Sequence, residues 1–234
     1  MSGEDHGLGG RPLSGKVVVI DPGHNPHNPQ HAAEITALVE AGGFLKACDT
    51  VGAETGAGYP ESVFTLDVAR RARIIMRAAG AAVILTHDGT EEHGPCVNQR
   101  AAIGNRAHAD VALSIHADAG PPEGYGFAVL VPALVPDSPA GRSMIIEPSR
   151  RLAAAMLAHF AAATGQAIST YLGSGGIQPR ADLAGLNLST VPKVFIQCAN
   201  MRNDADAAQV TDARWRQAAA QGIADSIASF LTAA

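Results

Sequence analysis

Short apolar runs alternate with longer amphipathic stretches along this chain. Residues 16–21, Lys-Val-Val-Val-Ile-Asp, form a continuous apolar run closed by Pro22 and Gly23, the pattern of a strand buried on both faces. Residues 62–79 carry Val63, Leu66, Ala69, Ile74 and Ala78 roughly on one helical face, with Arg70, Arg71 and Arg73 elsewhere and Gly80 as a stop. A second buried strand is expected at 81–86, a helix at 98–108 and a third strand at 110–115. This alternation predicts a single α/β domain, a mostly parallel twisted sheet with helices on both faces. Further on, the pattern gives a strand at 124–131, a Pro-rich turn (Pro132, Pro136, Pro139), a helix at 150–164 with a start as early as Ser143, a strand at 191–197 and a closing helix at 212–231. Residues 25–60 are irregular and predict a long loop with a short helix near 32–41. A loop of that length in a compact domain is usually functional or disordered.

Composition narrows the picture. The chain has 234 residues, 47% hydrophobic and 4% aromatic, so its core must be built from Ala, Val, Leu and Ile. The net charge of −5, with no basic run, argues against nucleic acid as a partner. No apolar stretch reaches the roughly 20 residues that span a bilayer. Residues 1–15, Gly-rich and polar, are expected to be flexible or disordered, leaving 16–234 as the working domain. Residues 1–11 hold no apolar signal core, so an exported protein would have lost its signal. Three cysteines, Cys48, Cys96 and Cys198, permit one bridge and one buried thiol.

The chemistry gathers at strand ends. Asp21-Pro-Gly-His24 closes the first strand, and Ser114-Ile-His-Ala-Asp118 places His116 at the end of the third. Ligands of open α/β sheets bind beyond the carboxyl ends of strands, so the two imidazoles can meet at one point. Imidazole is a common zinc ligand, and catalytic zinc takes three protein ligands. A carboxylate is the expected third. Glu61 opens the helix at the same rim; Glu34 and Glu54 compete from the irregular stretch. Each signal alone has an ordinary explanation: Asp-Pro-Gly is a turn signal, and acidic residues favour helix N-termini. His27 and His31 read as a polar loop beside the cleft, and His87 has no evident partner.

Taken in order, Val-Val-Val-Ile-Asp-Pro-Gly-His24, Tyr-Pro-Glu61, Asn98-Gln-Arg100, Ala-Asp-Val-Ala-Leu-Ser-Ile-His116-Ala-Asp, Gly124-Tyr-Gly-Phe, Leu183-Ala-Gly-Leu-Asn187 and Val-Pro-Lys-Val-Phe-Ile-Gln197 resemble the zinc-dependent N-acetylmuramoyl-L-alanine amidases. The resemblance runs from Lys16 to the C-terminus and implies a phosphorylase/hydrolase-like fold and hydrolysis of the amide between N-acetylmuramic acid and L-alanine. It implies Zn2+ held by His24, Glu61 and His116, peptidoglycan or muropeptides as partner, a monomer and an exported location in periplasm or cell wall. Cys48 and Cys96 resemble a bridged pair in a single-domain mycobacterial branch, and Cys198 reads as an inert core thiol. Arg180 and Asn187 fall where contacts to the peptide stem are expected. One departure stands out. The family's general base is a Glu on the last strand, and here that place holds Gln197, which can hydrogen-bond water but cannot take its proton. Natural or introduced, it implies an impaired enzyme; the competing reading puts the true base elsewhere, at Asp118 or Asp204. The alternative is a non-catalytic peptidoglycan-binding domain on the same fold. A nucleotide enzyme is a poor fit, since no Gly-rich phosphate loop follows a strand.

Overall fold

A computed structural model describes residues 11–134 and 140–233. The expected flexible stretch thus falls partly on residues 1–10, outside the described residues. From residue 11 the chain is a turn whose Leu13 is buried in the core and donates its amide to the Ala79 carbonyl, so the packed body starts before Lys16.

The central sheet has six strands: β1 (Val17–Pro22), β4 (Ala82–Leu85), β5 (Val111–Asp118), β6 (Ala128–Pro132), β7 (Ile177–Arg180) and β8 (Lys193–Asn200), in the order β4-β1-β5-β8-β6-β7. β4, β1, β5 and β8 are parallel, as expected. β6 runs antiparallel to β8, and β7 is parallel to β6. The apolar run of β1 reflects its position inside the sheet, with neighbours on both edges and Val18, Val19 and Ile20 all buried.

Seven helices flank the sheet among the described residues: α1 (Ala32–Thr36), α2 (Glu61–Ala78), α3 (Val97–Arg106), α4 (Ala140–Thr164), α5 (Ala184–Asn187), α6 (Asp204–Thr211) and α7 (Ala213–Thr232). α2, α4 and α7 cover one face. There the few aromatics form a chain of rings, Phe127–Phe160 at 4.8 Å, Phe160–Trp215 at 6.0 Å and Phe64–Trp215 at 6.3 Å. On the other face α3 packs a smaller cluster, Ala109, Ala112, Val19 and Val191 with Ile103. α5, packed on α3, continues this cover as far as β6. Along β8, Val194, Ile196 and Cys198 are fully buried, whereas Phe195 and Gln197, on the opposite side, line an open cleft.

The structure departs from the sequence pattern in several places, among them β7 and α5, which fall where no element was expected. The irregular stretch 25–60 contains a hairpin, β2 (Leu38–Glu40) with β3 (Leu45–Ala47), turning at Gly42–Gly43. Its strands are three residues long, too short for alternation to register. β6 starts at Ala128 instead of 124, because residues before it are claimed by side chains: Asn200 Nδ2 donates to the Pro121 and Gly124 carbonyls, and the Gly126 amide donates to Asp206. α4 starts at Ala140 and runs through Pro148. Finally, a separate helix α6, capped by the Asn203 side chain, precedes the expected closing helix.

Candidate metal centre

Three strands and one helix deliver the candidate residues to one rim. His24 follows β1, His116 lies near the end of β5, and Gln197 pairs in register with His116 on β8. Glu61 is the first residue of α2. Its carboxylate is 3.1 Å from His24 Nε2 and 2.8 Å from His116 Nδ1. Ligand atoms of His24, Glu61 and His116 all lie within 4.8 Å of one another, the one such group of three or more among the described residues. Of the competitors, Glu54 lines the cleft outside this group, and Glu34 sits 3.5 Å from His31 on the surface.

Local backbone chemistry explains the motif. His24 adopts φ 61°, a left-handed conformation that costs a non-glycine residue about 1 kcal/mol or more. Gly23 precedes it because the His116 ring lies against its Cα, so that any Cβ would overlap the imidazole. Gly52, at φ 83°, passes equally close to the pair. A Cβ there would sit 2.7 Å from the His24 ring and 2.9 Å from Glu61 Oε2. Glu61 caps no helix; its carboxylate accepts instead from the Ala53 amide at 2.8 Å and the Ala117 amide at 3.1 Å, which fixes both oxygens.

A second layer orients His24. Its Nδ1 lies 3.1 Å from both the Thr50 carbonyl and the Thr50 hydroxyl, and 3.4 Å from Asp49 Oδ1. Asp49 also accepts from the Thr50 amide at 2.8 Å and from Arg100 Nη2 at 2.8 Å. Arg100, fully enclosed, donates its other arm to Asp21 at 2.9 Å and to the Pro22 carbonyl. Asp21 further accepts from Ser114 and Thr86, with Lys193 Nζ at 3.4 Å.

The electrostatics favour a cation. Burial works against a proton on His24, but Glu61 and Asp49 outweigh it and raise its pKa to about 10. Burial raises Glu61, yet His24 and His116 hold its carboxyl well below the usual range. Burial likewise raises Asp49, and His24 and Arg100 bring it back to about 2. Two nitrogens and one anionic oxygen, each oriented by hydrogen bonds, form a donor set that suits zinc, whose tetrahedral ligands stand about 3.3 Å apart.

The group lies on the wall of a cleft of about 860 Å³. Phe195, stacked on His116 at 5.3 Å, and Gln197 lie along it, and Asp118, Arg180, Arg202 and Asp204 supply charge. Gln197 Oε1 is buried and has no hydrogen-bond partner. Arg180 reaches the cleft but is held by Asp182 through two bonds of 2.7 and 2.6 Å.

Asn187 does not reach the cleft, and the expected contact to a ligand is corrected here. The side chain is buried, and its Nδ2 donates to the Ala41 and Ala181 carbonyls, tying the hairpin end to the loop before α5. Cys48 and Cys96 form a disulfide, and Cys198 is a buried free thiol. His87 is buried and bonds the Pro22 carbonyl; His31 stacks on His93. Sequence reasoning missed Asp49, Thr50 and Gly52. The one signal for them was adjacency to Cys48.

Comparison with known proteins places this arrangement. The family described as N-acetylmuramoyl-L-alanine amidase (Amidase_3) matches residues 18–229. The chain is 36% identical over 220 residues to N-acetylmuramoyl-L-alanine amidase Rv3717 of Mycobacterium tuberculosis, covering 94% of this chain and 88% of the relative. The crystal structure of the N-acetylmuramyl-L-alanine amidase Ami1 from Mycobacterium smegmatis superposes with a TM-score of 0.85 at 40% identity, over 94% of this chain and 98% of that one. The apo form of Ami1 from Mycobacterium abscessus gives the same TM-score at 38% identity, over 94% and 100%.

Proposed function

We propose, from the premise that this chain belongs to the N-acetylmuramoyl-L-alanine amidase family, that it is a zinc-dependent peptidoglycan amidase working at the His24–Glu61–His116 centre, slowed by Gln197. The observation that carries this reading is the convergence of those three side chains on the wall of a cleft large enough for a sugar–peptide junction.

His24 offers Nε2, because its Nδ1 is engaged by Thr50 and Asp49; His116 offers Nδ1; Glu61 offers one carboxylate oxygen. A zinc ion bound there supplies Lewis acidity for the amide carbonyl and brings the pKa of water toward about 7. Phe195 keeps the His116 ring in place by stacking. Gln197, beside His116, directs its unpartnered amide oxygen as a hydrogen-bond acceptor for water, which orients the water without removing its proton. Asp118 and Asp204 are the substitute bases along the cleft, and Arg180, steadied by Asp182, is a contact for the peptide stem. The disulfide and a wall substrate together favour an exported protein, since such bridges persist in oxidising compartments. No helix among the described residues is long and apolar enough to cross a membrane. The packed body from residue 11 onward serves as the catalytic unit, with muropeptides or peptidoglycan as its partner.

The test couples metal titration to muropeptide digestion. One zinc per chain, lost in His116→Ala, and slow release of peptides with a free L-alanine amino terminus are expected. Zinc binding without any amide cleavage, at any enzyme concentration, would favour the non-catalytic binding domain, the reading that Gln197 itself supports.

A further inference from the structure

The Cys48–Cys96 bridge and the residues that steady His24 are continuous. Cys48 is followed directly by Asp49 and Thr50, the two residues facing His24 Nδ1. Cys96 opens α3, and one turn later that helix supplies Arg100, which grips Asp49 at 2.8 Å. The amide of Val97, next to Cys96, donates to the Cys48 carbonyl at 2.7 Å, so the two segments are joined by a hydrogen bond as well as by sulfur. Asp49 therefore sits in a clamp with its own chain on one side and α3 on the other, 5% exposed.

We propose that Asp49 is a positioning residue for His24 and that the Cys48–Cys96 bridge sets the metal affinity of the site through it. The inference rests on the reading of His24, Glu61 and His116 as metal ligands. A metal-bound imidazole must keep its proton on the nitrogen that faces away from the ion, and the acceptor there fixes the tautomer and the ring. Here the acceptors are the Thr50 carbonyl and the Asp49 carboxylate. Asp49 faces His24 directly, and the oxygen that does so also accepts from the Thr50 amide, which holds the carboxylate in place. Asn28 Nδ2 also donates to the Thr50 carbonyl, at 2.8 Å, and helps to hold it. The ring needs this support because His24 stands in a left-handed backbone conformation that the chain does not favour on its own. Cutting the bridge frees both sides of the clamp, and the acceptors lose their fixed direction.

Zinc affinity, measured by competition with a chromophoric chelator, tests this on the full chain. Asp49→Asn should weaken zinc binding about 10- to 100-fold, the range found for partners of ligating histidines. The bridge-free Cys48→Ser/Cys96→Ser protein should lose affinity in the same direction. Combining all three changes should cost no more than Asp49→Asn alone, to within about threefold, because both act through one carboxylate. Asp67→Asn breaks the ion pairs to Arg71 and Arg216, away from the site, and should leave affinity within a few-fold while lowering the thermal midpoint of the metal-free protein. The proposal is overturned if Asp49→Asn binds zinc like the parent, if the bridge-free protein keeps full affinity, if the losses multiply, or if Asp67→Asn loses as much as Asp49→Asn. Failure of the metal reading itself looks different: zinc would then bind undiminished to His24→Ala and His116→Ala.

Discussion

Under the proposed reading, Gln197 is the residue at which one atom would separate binding from turnover. Its amide has nearly the shape of a carboxylate, it pairs in register with His116, and its oxygen is left without a partner at the cleft. Gln197→Glu should therefore raise amide hydrolysis on the order of 10²- to 10⁴-fold, the usual worth of a general base, while zinc stoichiometry stays at one. A release assay on defined muropeptides decides this; an unchanged rate moves the base to Asp118 or Asp204. Gly52 gives the complementary case. Gly52→Ala forces a Cβ into His24 and Glu61 at a φ that alanine rarely adopts, so zinc affinity should fall together with stability, by at least about 1 kcal/mol in a urea titration. That His24, Glu61 and His116 come together was legible in the sequence because strand-end histidines and a helix-opening glutamate are tied to the rim by topology alone. Asn187 was misread for the opposite reason. Its acceptor at Ala41 lies 146 residues away, and no local pattern announces that contact.

At the level of elements, β1, β5 and α2 could be read because each is long and uniformly patterned, whereas β2, β3 and β7 are three or four residues long and owe their place to partners distant in sequence. What pins the readable strands together at the rim is the buried Asp21–Arg100 pair, with Asp49 and Lys193 beside it. Burial pushes the Asp21 carboxyl up, but Lys193 and Arg100 bring it far below its ordinary value. A carboxylate depressed in the folded state contributes stability that is complete above its unfolded pKa, near 3.9, and is lost as pH falls below that. Unfolding midpoints should accordingly drop on acidification below about pH 4. Asp21→Asn should flatten that dependence and cost about 3–5 kcal/mol at neutral pH, since it leaves Arg100 and Lys193 buried beside a neutral group. An undiminished acid slope in the variant would assign it to other carboxylates.

For the molecule as a whole, stability is shared between an aliphatic core and one covalent crosslink. The core carries few aromatics, gathered where α2, α4 and α7 meet. The crosslink joins residues 48 positions apart, and the chain-entropy relation puts its contribution at about 4 kcal/mol. Cys48→Ser/Cys96→Ser should lower the unfolding free energy from urea titration by a matching amount, with a steeper slope because the freed unfolded chain exposes more surface. A loss below about 1 kcal/mol would mean that the unfolded chain is already constrained there.

The last strand carries a last consequence. On β8, Phe195 and Gln197 face the cleft, so the groove beside His24, Glu61 and His116 runs along the end of that strand. A polymer can be laid across such a groove sideways, with no end threaded through a hole. If the proposed amidase reading holds, intact wall should be cut as readily as its fragments, and comparing release from whole sacculi with release from soluble muropeptides checks this.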